Sequence, residues 1–116
     1  MKPTAINYLE LPACNIQATQ RFFKTVFNWQ FQDYGPDYTE FKDTAITGGF
    51  YRSELESRVA TGGALVVFYA ENLPQIQSKI KAAGGSIIKP IFEFPGGKRF
   101  HFLEPSGNEF AVWSDT

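Results

Sequence analysis

The chain has one cysteine, one histidine and one methionine among its 116 residues. A lone thiol excludes an internal disulfide and a cysteine-based zinc site, so stability rests on packing. A lone histidine excludes a two-histidine metal centre within one chain. Neither sign of charge is in excess: eleven Lys and Arg face twelve Asp and Glu, for a formal net charge of -1. That balance removes the electrostatic footprint of a nucleic-acid-binding protein. No apolar run approaches the roughly 18 to 20 residues of a membrane span. The opening MKPTAINYLELPA also lacks the basic-then-apolar order of an export signal. Together these absences predict a cytoplasmic protein with no nucleic-acid or membrane partner. Cys14, just before a helix signal, is expected to be a small buried or half-buried residue rather than a nucleophile.

Apolar side chains are plentiful, at 43% of residues with twelve Phe, enough for one core in a single domain over residues 1–116. Thr4 to Leu11 alternates, with Leu9 and Leu11 on one face and Ile6, Tyr8 and Glu10 on the other, as a strand does. Asn15 is placed to cap a helix whose Phe22/Val26 and Phe23/Phe27 pairs form one stripe, and Asn28 to stop it. Three β-type runs follow, 29–34, 38–42 and 45–51, divided by Gly35-Pro36-Asp37 and Asp43-Thr44. A polar stretch then leads to Gly62-Gly63. After it the order restarts: a strand over 64–70, a helix capped by Asn72 with Pro74 in its first turn and stopped at Gly84-Gly85, then strands over 86–94, 98–103 and 109–114.

The interval from Asn15 to Asn72 equals that from Asn28 to Gly85, so element type, helix length and loop position repeat together. The expected fold is α+β: two βαβββ modules in one chain, forming a curved mixed sheet around a cleft. Module one covers about 1–52, a linker about 53–62, and module two about 63–116. Gly48-Gly49 reads as a bulge and Gly96-Gly97 as a turn; neither pair precedes a helix, where a phosphate loop would lie.

The stretches INYLELPA, RFFKTVFNWQF, TGGFY and LEPSGNEFAVW resemble, in order, the vicinal oxygen chelate superfamily, which includes glyoxalase I, bleomycin- and fosfomycin-resistance proteins and extradiol dioxygenases. Asn28 stands where that family usually has Gly, and Glu104 and Ser106 replace the two Asp of its Asp-Pro-Asp-Gly-Asn turn. The resemblance implies that metal ligands, where members have them, come from the opening strands of both halves and the final strand. The matching positions here are Tyr8, Leu65 and Ala111. Leu and Ala cannot coordinate, and Tyr is uncommon in divalent catalytic sites. The expectation is a chain without a metal, without a cofactor and without the family's metal-dependent chemistry.

Alternation assigns Ile6, Tyr8 and Glu10, Leu65 and Val67, Arg99, His101 and Leu103, and Glu109, Ala111 and Trp113 to the cleft. Phe100, Phe102, Phe110 and Val112 are left for the core, as are the Phe residues in general. Arg99 offers a bidentate cation and Trp113 a stacking surface for a small organic ligand with one acidic or polar group. His101 has three readings: a hydrogen-bonded strand residue, a ligand contact, or a proton-transfer group. Glu10 is either a catalytic base or a structural partner of Arg99. The expected function is metal-independent binding of a small molecule; the alternative is a lyase or isomerase moving a proton with Glu10 or His101. A homodimer is expected from the resemblance.

Overall fold

The computed structural model describes residues 1–43 and 45–116. The expected Asp43-Thr44 turn therefore lies partly outside the described residues. Module one contains β1 (Tyr8–Ala13), α1 (Ile16–Phe27), β2 (Gln30–Asp33), β3 (Tyr38–Lys42) and β4 (Thr47–Arg52). Module two contains β5 (Val66–Tyr69), α2 (Leu73–Ala82), β6 (Ser86–Phe94), β7 (Gly97–Leu103) and β8 (Glu109–Ser114). Each module makes its own four-stranded mixed sheet, ordered β1-β4-β3-β2 and β5-β8-β7-β6. The helix carries the chain from the opening strand into the meander, whose last strand returns parallel to the first.

Local chemistry sets both helices. The side chain of Asn15 accepts from the Ala18 amide at 3.0 Å and that of Asn72 from the Gln75 amide at 3.0 Å, each satisfying a donor left open in the first turn. Asn28 ends α1 in the left-handed region, φ 59°, so its amide reaches back to Lys24 and closes the helix. Strand β1 starts at Tyr8 rather than Thr4 and runs to Ala13. Ile6, expected in the cleft, precedes it and is 82% exposed. β4 pairs with β1 only from Thr47 onward, so among the described residues no ladder partner stands opposite the positions before Tyr8.

The stripe of α1 is the centre of one shared core. Phe23 stacks on Trp29 at 4.3 Å and on Phe50 of its own module at 5.7 Å, and meets Phe110 of the other module edge-on at 5.3 Å. Phe27 stacks on Phe68 at 4.0 Å and Phe22 packs on Phe102 at 5.8 Å. The two modules thus share one aromatic core, each covering part of the other's helix-facing side. Offset aromatic pairs add about 0.5–1.5 kcal/mol each beyond area burial.

The LEPSGN turn fastens the two modules. Glu104, 2% exposed, accepts from Thr19 Oγ1 at 2.6 Å, the Ser106 amide at 2.8 Å, and the Asn108 side-chain and backbone nitrogens at 2.8 and 3.2 Å. Asn108 donates to the Pro12 carbonyl at 2.6 Å and accepts from the Ser57 amide at 2.8 Å. Strand β1, helix α1 and the linker are thereby tied to one turn. Burial of Glu104 pushes its carboxyl above the usual range, outweighing the four bonds that favour the anion.

Two local expectations fail. Gly48-Gly49 is no bulge: both residues pair in unbroken register with β1 and β3. They are glycines for space, since a Cβ on Gly48 would strike the Phe41 ring and one on Gly49 the Tyr38 phenol. The irregularities fall in β6 instead, between Ile87 and Lys89 and between Lys89 and Phe92. Pro90, which has no N–H, sits there on an edge strand. Cys14, expected to be buried or half-buried, is exposed, because it lies outside the strand in the step up to the helix cap.

Candidate functional site

Strands β7 and β8 lay out the candidate site by register. Arg99 lies opposite Trp113, His101 opposite Ala111 and Leu103 opposite Glu109, while Val67 and Tyr69 of β5 flank Ala111 and Trp113. The intervening Phe100, Phe102, Phe110 and Val112 are buried in the core, so the expected division of faces is present. Leu65, half-buried, directly precedes β5.

Two side chains the sequence did not join form the centre. His101, 3% exposed, and Glu109, 7% exposed, are diagonal neighbours across the ladder, with Nδ1 of the imidazole 2.8 Å from Oε2 of the carboxylate. The other oxygen, Oε1, accepts from the Val59 amide at 3.1 Å and lies 3.5 Å from Arg58 Nε. Burial works to raise the Glu109 carboxyl, but the bond from His101, the Val59 amide and the neighbouring positive charge together hold it below the usual range. Glu109 is therefore an anion, an acceptor only, so Nδ1 carries the proton. The remaining nitrogen, Nε2, is buried and has no partner.

Arg99 is the second such group. Its guanidinium lies over Phe92 at 5.3 Å and Phe94 at 5.5 Å, and its Nε is buried without a partner. Phe92 and Phe94 were assigned to the core with every other Phe. Two register shifts interrupt the alternation of β6, so that Lys89 stands opposite His101 although Ile87 and Ile91 pack on the core; beyond the second shift Phe92 stands opposite Arg99, and Phe94, two residues on, shares its face. Trp113 completes the wall, edge-on to Tyr69 at 5.2 Å and Phe94 at 6.3 Å. No local pattern announces the linker residues Arg58 and Val59, which reach Glu109 only through the tertiary fold.

Tyr8 and Glu10 belong to a different cluster, on the first sheet. The Tyr38 hydroxyl donates to Glu10 Oε2 at 2.9 Å and lies 2.6 Å from the Tyr8 hydroxyl, which also approaches Glu40 at 3.4 Å. Burial raises both tyrosines above the usual range; at Tyr38 the bonds to Tyr8 and Glu10 add to it, while at Tyr8 the bond with Tyr38 works against it and Glu40 adds to it. They stay protonated. Among the described residues no hydrogen bond, ion pair or ring contact joins Tyr8 or Glu10 to Arg99, His101 or Trp113. Glu10 has Tyr38 as its partner, not Arg99.

The chain matches the Glyoxalase/Bleomycin resistance protein/Dioxygenase superfamily over residues 5–112. It belongs to that superfamily. No curated protein matches its sequence. Among solved structures, it is similar to the fosfomycin resistance protein of Listeria monocytogenes in complex with Mn(II) and sulfate, with a TM-score of 0.80, 15% identity, and coverage of 99% of this chain and 93% of that one. It is also similar to lactoylglutathione lyase from Agrobacterium tumefaciens, with a TM-score of 0.72, 20% identity, and coverage of 98% and 96%. A family enzyme from Burkholderia phytofirmans gives a TM-score of 0.76, 19% identity, and coverage of 95% and 98%. At these identities the likeness is one of fold.

The residues present do not fit a metal of the kind bound in the Listeria protein. Leu65 and Ala111 have no donor atom, the Tyr8 phenol is held protonated, and His101 Nδ1 is committed to Glu109. Among the described residues no three His, Cys, Asp or Glu side chains converge as a cation site. No helix is long and apolar enough to cross a membrane.

Proposed function

We propose that this protein binds a small organic anion, without a metal, on the face carrying Arg99 and His101. The observation that carries the reading is the pair of buried, unpartnered nitrogens, Arg99 Nε and His101 Nε2, two residues apart on one strand face. Buried donors and acceptors without partners cost about 1–3 kcal/mol each; a carboxylate or phosphonate relieves the Arg99 donor, and a hydroxyl or amine on the same ligand relieves the His101 acceptor. Arg99 takes the anionic group, His101 a hydroxyl or amine, and Phe92, Phe94 and Trp113 the hydrocarbon part. Val67 and Ala111 form the floor beside them.

The first sheet supplies a surface of the opposite kind, with Tyr8, Tyr38, Glu10 and Glu40 together on its open face. Complementary faces support a homodimer in which the acidic face of one protomer covers the basic, aromatic face of its partner. A cytoplasmic setting, in which the lone Cys14 stays reduced, is part of the proposal.

A second reading, a lyase or isomerase, is favoured by the His101–Glu109 pair. Glu109 fixes the proton on Nδ1 and leaves the buried Nε2 as the base, two residues from Arg99 on the same strand. Glu10, bonded to Tyr38, is not part of this arrangement.

The test is a thermal-shift and calorimetric panel of small carboxylates and phosphonates, in buffer with and without EDTA. A binder should stabilise the protein equally in both buffers and lose about 10- to 100-fold in affinity in Arg99→Ala, since a charge-assisted bond is worth about 1.5–3 kcal/mol. Binding that needs added metal, or that ignores Arg99→Ala, refutes the proposal.

A further inference from the structure

The candidate face carries a second cation, supplied by β6. Ile87, Lys89 and Ile91 are two residues apart, and strict alternation would send all three to one side of the sheet. Ile87 and Ile91 do pack on the core. Lys89 does not: register shifts on both sides of it set it opposite His101, on the face that holds the site. Beyond the second shift Phe92 stands opposite Arg99.

The Phe92 ring gathers these groups. The Lys89 ammonium lies 5.4 Å from its centroid, the Arg99 guanidinium 5.3 Å and the His101 ring 5.9 Å. Among the described residues neither Lys89 nor Arg99 makes an ion pair. The carboxylates of this face are already engaged: Glu109 by His101, the Val59 amide and Arg58, and Asp115, past the end of β8, by the Tyr69 hydroxyl at 2.6 Å. Like charges brought to one ring repel each other unless an anion joins them. Arg99 is buried at Nε without a partner, and its planar fork suits two oxygens of a single group. Lys89 is exposed, a compact charge on a flexible stem that can meet a charge elsewhere on the ligand.

On the reading that Arg99 holds an anion, we infer that Lys89 sets the charge of that anion: the ligand is a dianion, carrying a phosphoryl group or two carboxylates. Arg99 takes two oxygens of one group, and Lys89 meets the second negative charge. A monoanion leaves Lys89 unpaired in the complex.

Two pairs of probes differ by one charge within each pair: phenyl phosphate with phenyl sulfate, and phenylsuccinate with 3-phenylpropionate. The measurement is calorimetric titration of the full chain in EDTA at about pH 7.5, where a phosphate monoester, with its second pKa near 6, is mostly dianionic. The dianion of at least one pair should bind about fivefold more tightly, the upper range for a pair made with an exposed lysine. Lys89→Gln should remove that advantage while changing the monoanion by less than about twofold, and Lys89→Arg should restore it. Arg99→Ala should weaken every probe by about tenfold or more. An advantage confined to phenyl phosphate assigns the ligand to the phosphoryl class, and one confined to phenylsuccinate to the dicarboxylates. Equal affinities within both pairs, or an advantage undiminished by Lys89→Gln, overturns the inference; if Arg99→Ala still weakens binding in that case, the anion site stands. Binding indifferent to Arg99→Ala removes the anion site and the dianion with it, as does the absence of binding by all four probes.

Discussion

Replacing Glu109 should change the tautomer of His101, and two variants separate that effect from simple loss of packing. Glu109→Ala leaves the imidazole Nδ1–H and the Val59 amide without the acceptors they now have at 2.8 and 3.1 Å. Two orphaned buried donors at about 1–3 kcal/mol each, less the relief of no longer desolvating a carboxylate, put the loss of stability near 3 kcal/mol. For a domain of this size, that is a fall in Tm of roughly 12 °C. Glu109→Gln keeps the shape. Its amide oxygen still accepts from Val59, but its NH2 group now donates, so Nδ1 must become the acceptor and the ring proton must move to Nε2. The cost should be only about 1 kcal/mol, because neutral bonds are about half as strong as charge-assisted ones. The assay is urea unfolding for stability and nitrogen-15 NMR of the lone histidine for the tautomer. An Nδ1–H tautomer persisting in Glu109→Gln, or Glu109→Ala as stable as the parent, refutes this account of the pair. The same variant separates the two functions: inversion of Nε2 from acceptor to donor abolishes base catalysis while leaving Arg99 free to hold an anion.

Gly48→Ala should cost about 1–3 kcal/mol by overpacking, because its Cβ would meet buried Phe41 and the Leu9 carbonyl; Gly49→Ala, facing only the partly exposed end of Tyr38, should cost less in the same urea titration. The two buried glutamates should act oppositely on stability as pH changes. Glu104, raised in the fold above its ordinary 4.5, binds more protons folded than unfolded, so its contribution is fully present below 4.5 and is lost as pH rises through the folded value. Glu109, lowered in the fold, contributes above 4.5 and loses that contribution as pH falls through its folded value. Unfolding titrations of Glu104→Gln and Glu109→Gln against the parent chain, from pH 3 to 7, should therefore diverge with opposite slopes; parallel curves would contradict the burial and pairing described for both.

The helices, their caps and stops, and the core faces of β7 and β8 were legible because each rests on neighbours along the chain. Asn15, Asn28 and Asn72 satisfy backbone groups within a few residues, and alternation places Phe100 and Phe102 opposite Arg99 and His101 whatever else the chain does. The bulge assigned to Gly48-Gly49 was misread because glycine serves two needs, and only the rings of Phe41 and Tyr38 lying over β4 reveal that the need here is room. Phe92 and Phe94 are not legible as site residues because two register shifts in β6 interrupt its alternation just before them.

By itself the sequence determined a duplicated βαβββ chain, two faces for most of its strands, and side chains without a donor atom at positions 65 and 111. Only the tertiary structure decided which polar side chains meet. It gave His101 to Glu109 and Glu10 to Tyr38, and set Arg99 between two phenylalanines. Those pairings span different strands and a linker, over distances set by how two sheets share one aromatic core. Alternation fixes the side of a strand from which a residue points, but not what stands opposite it.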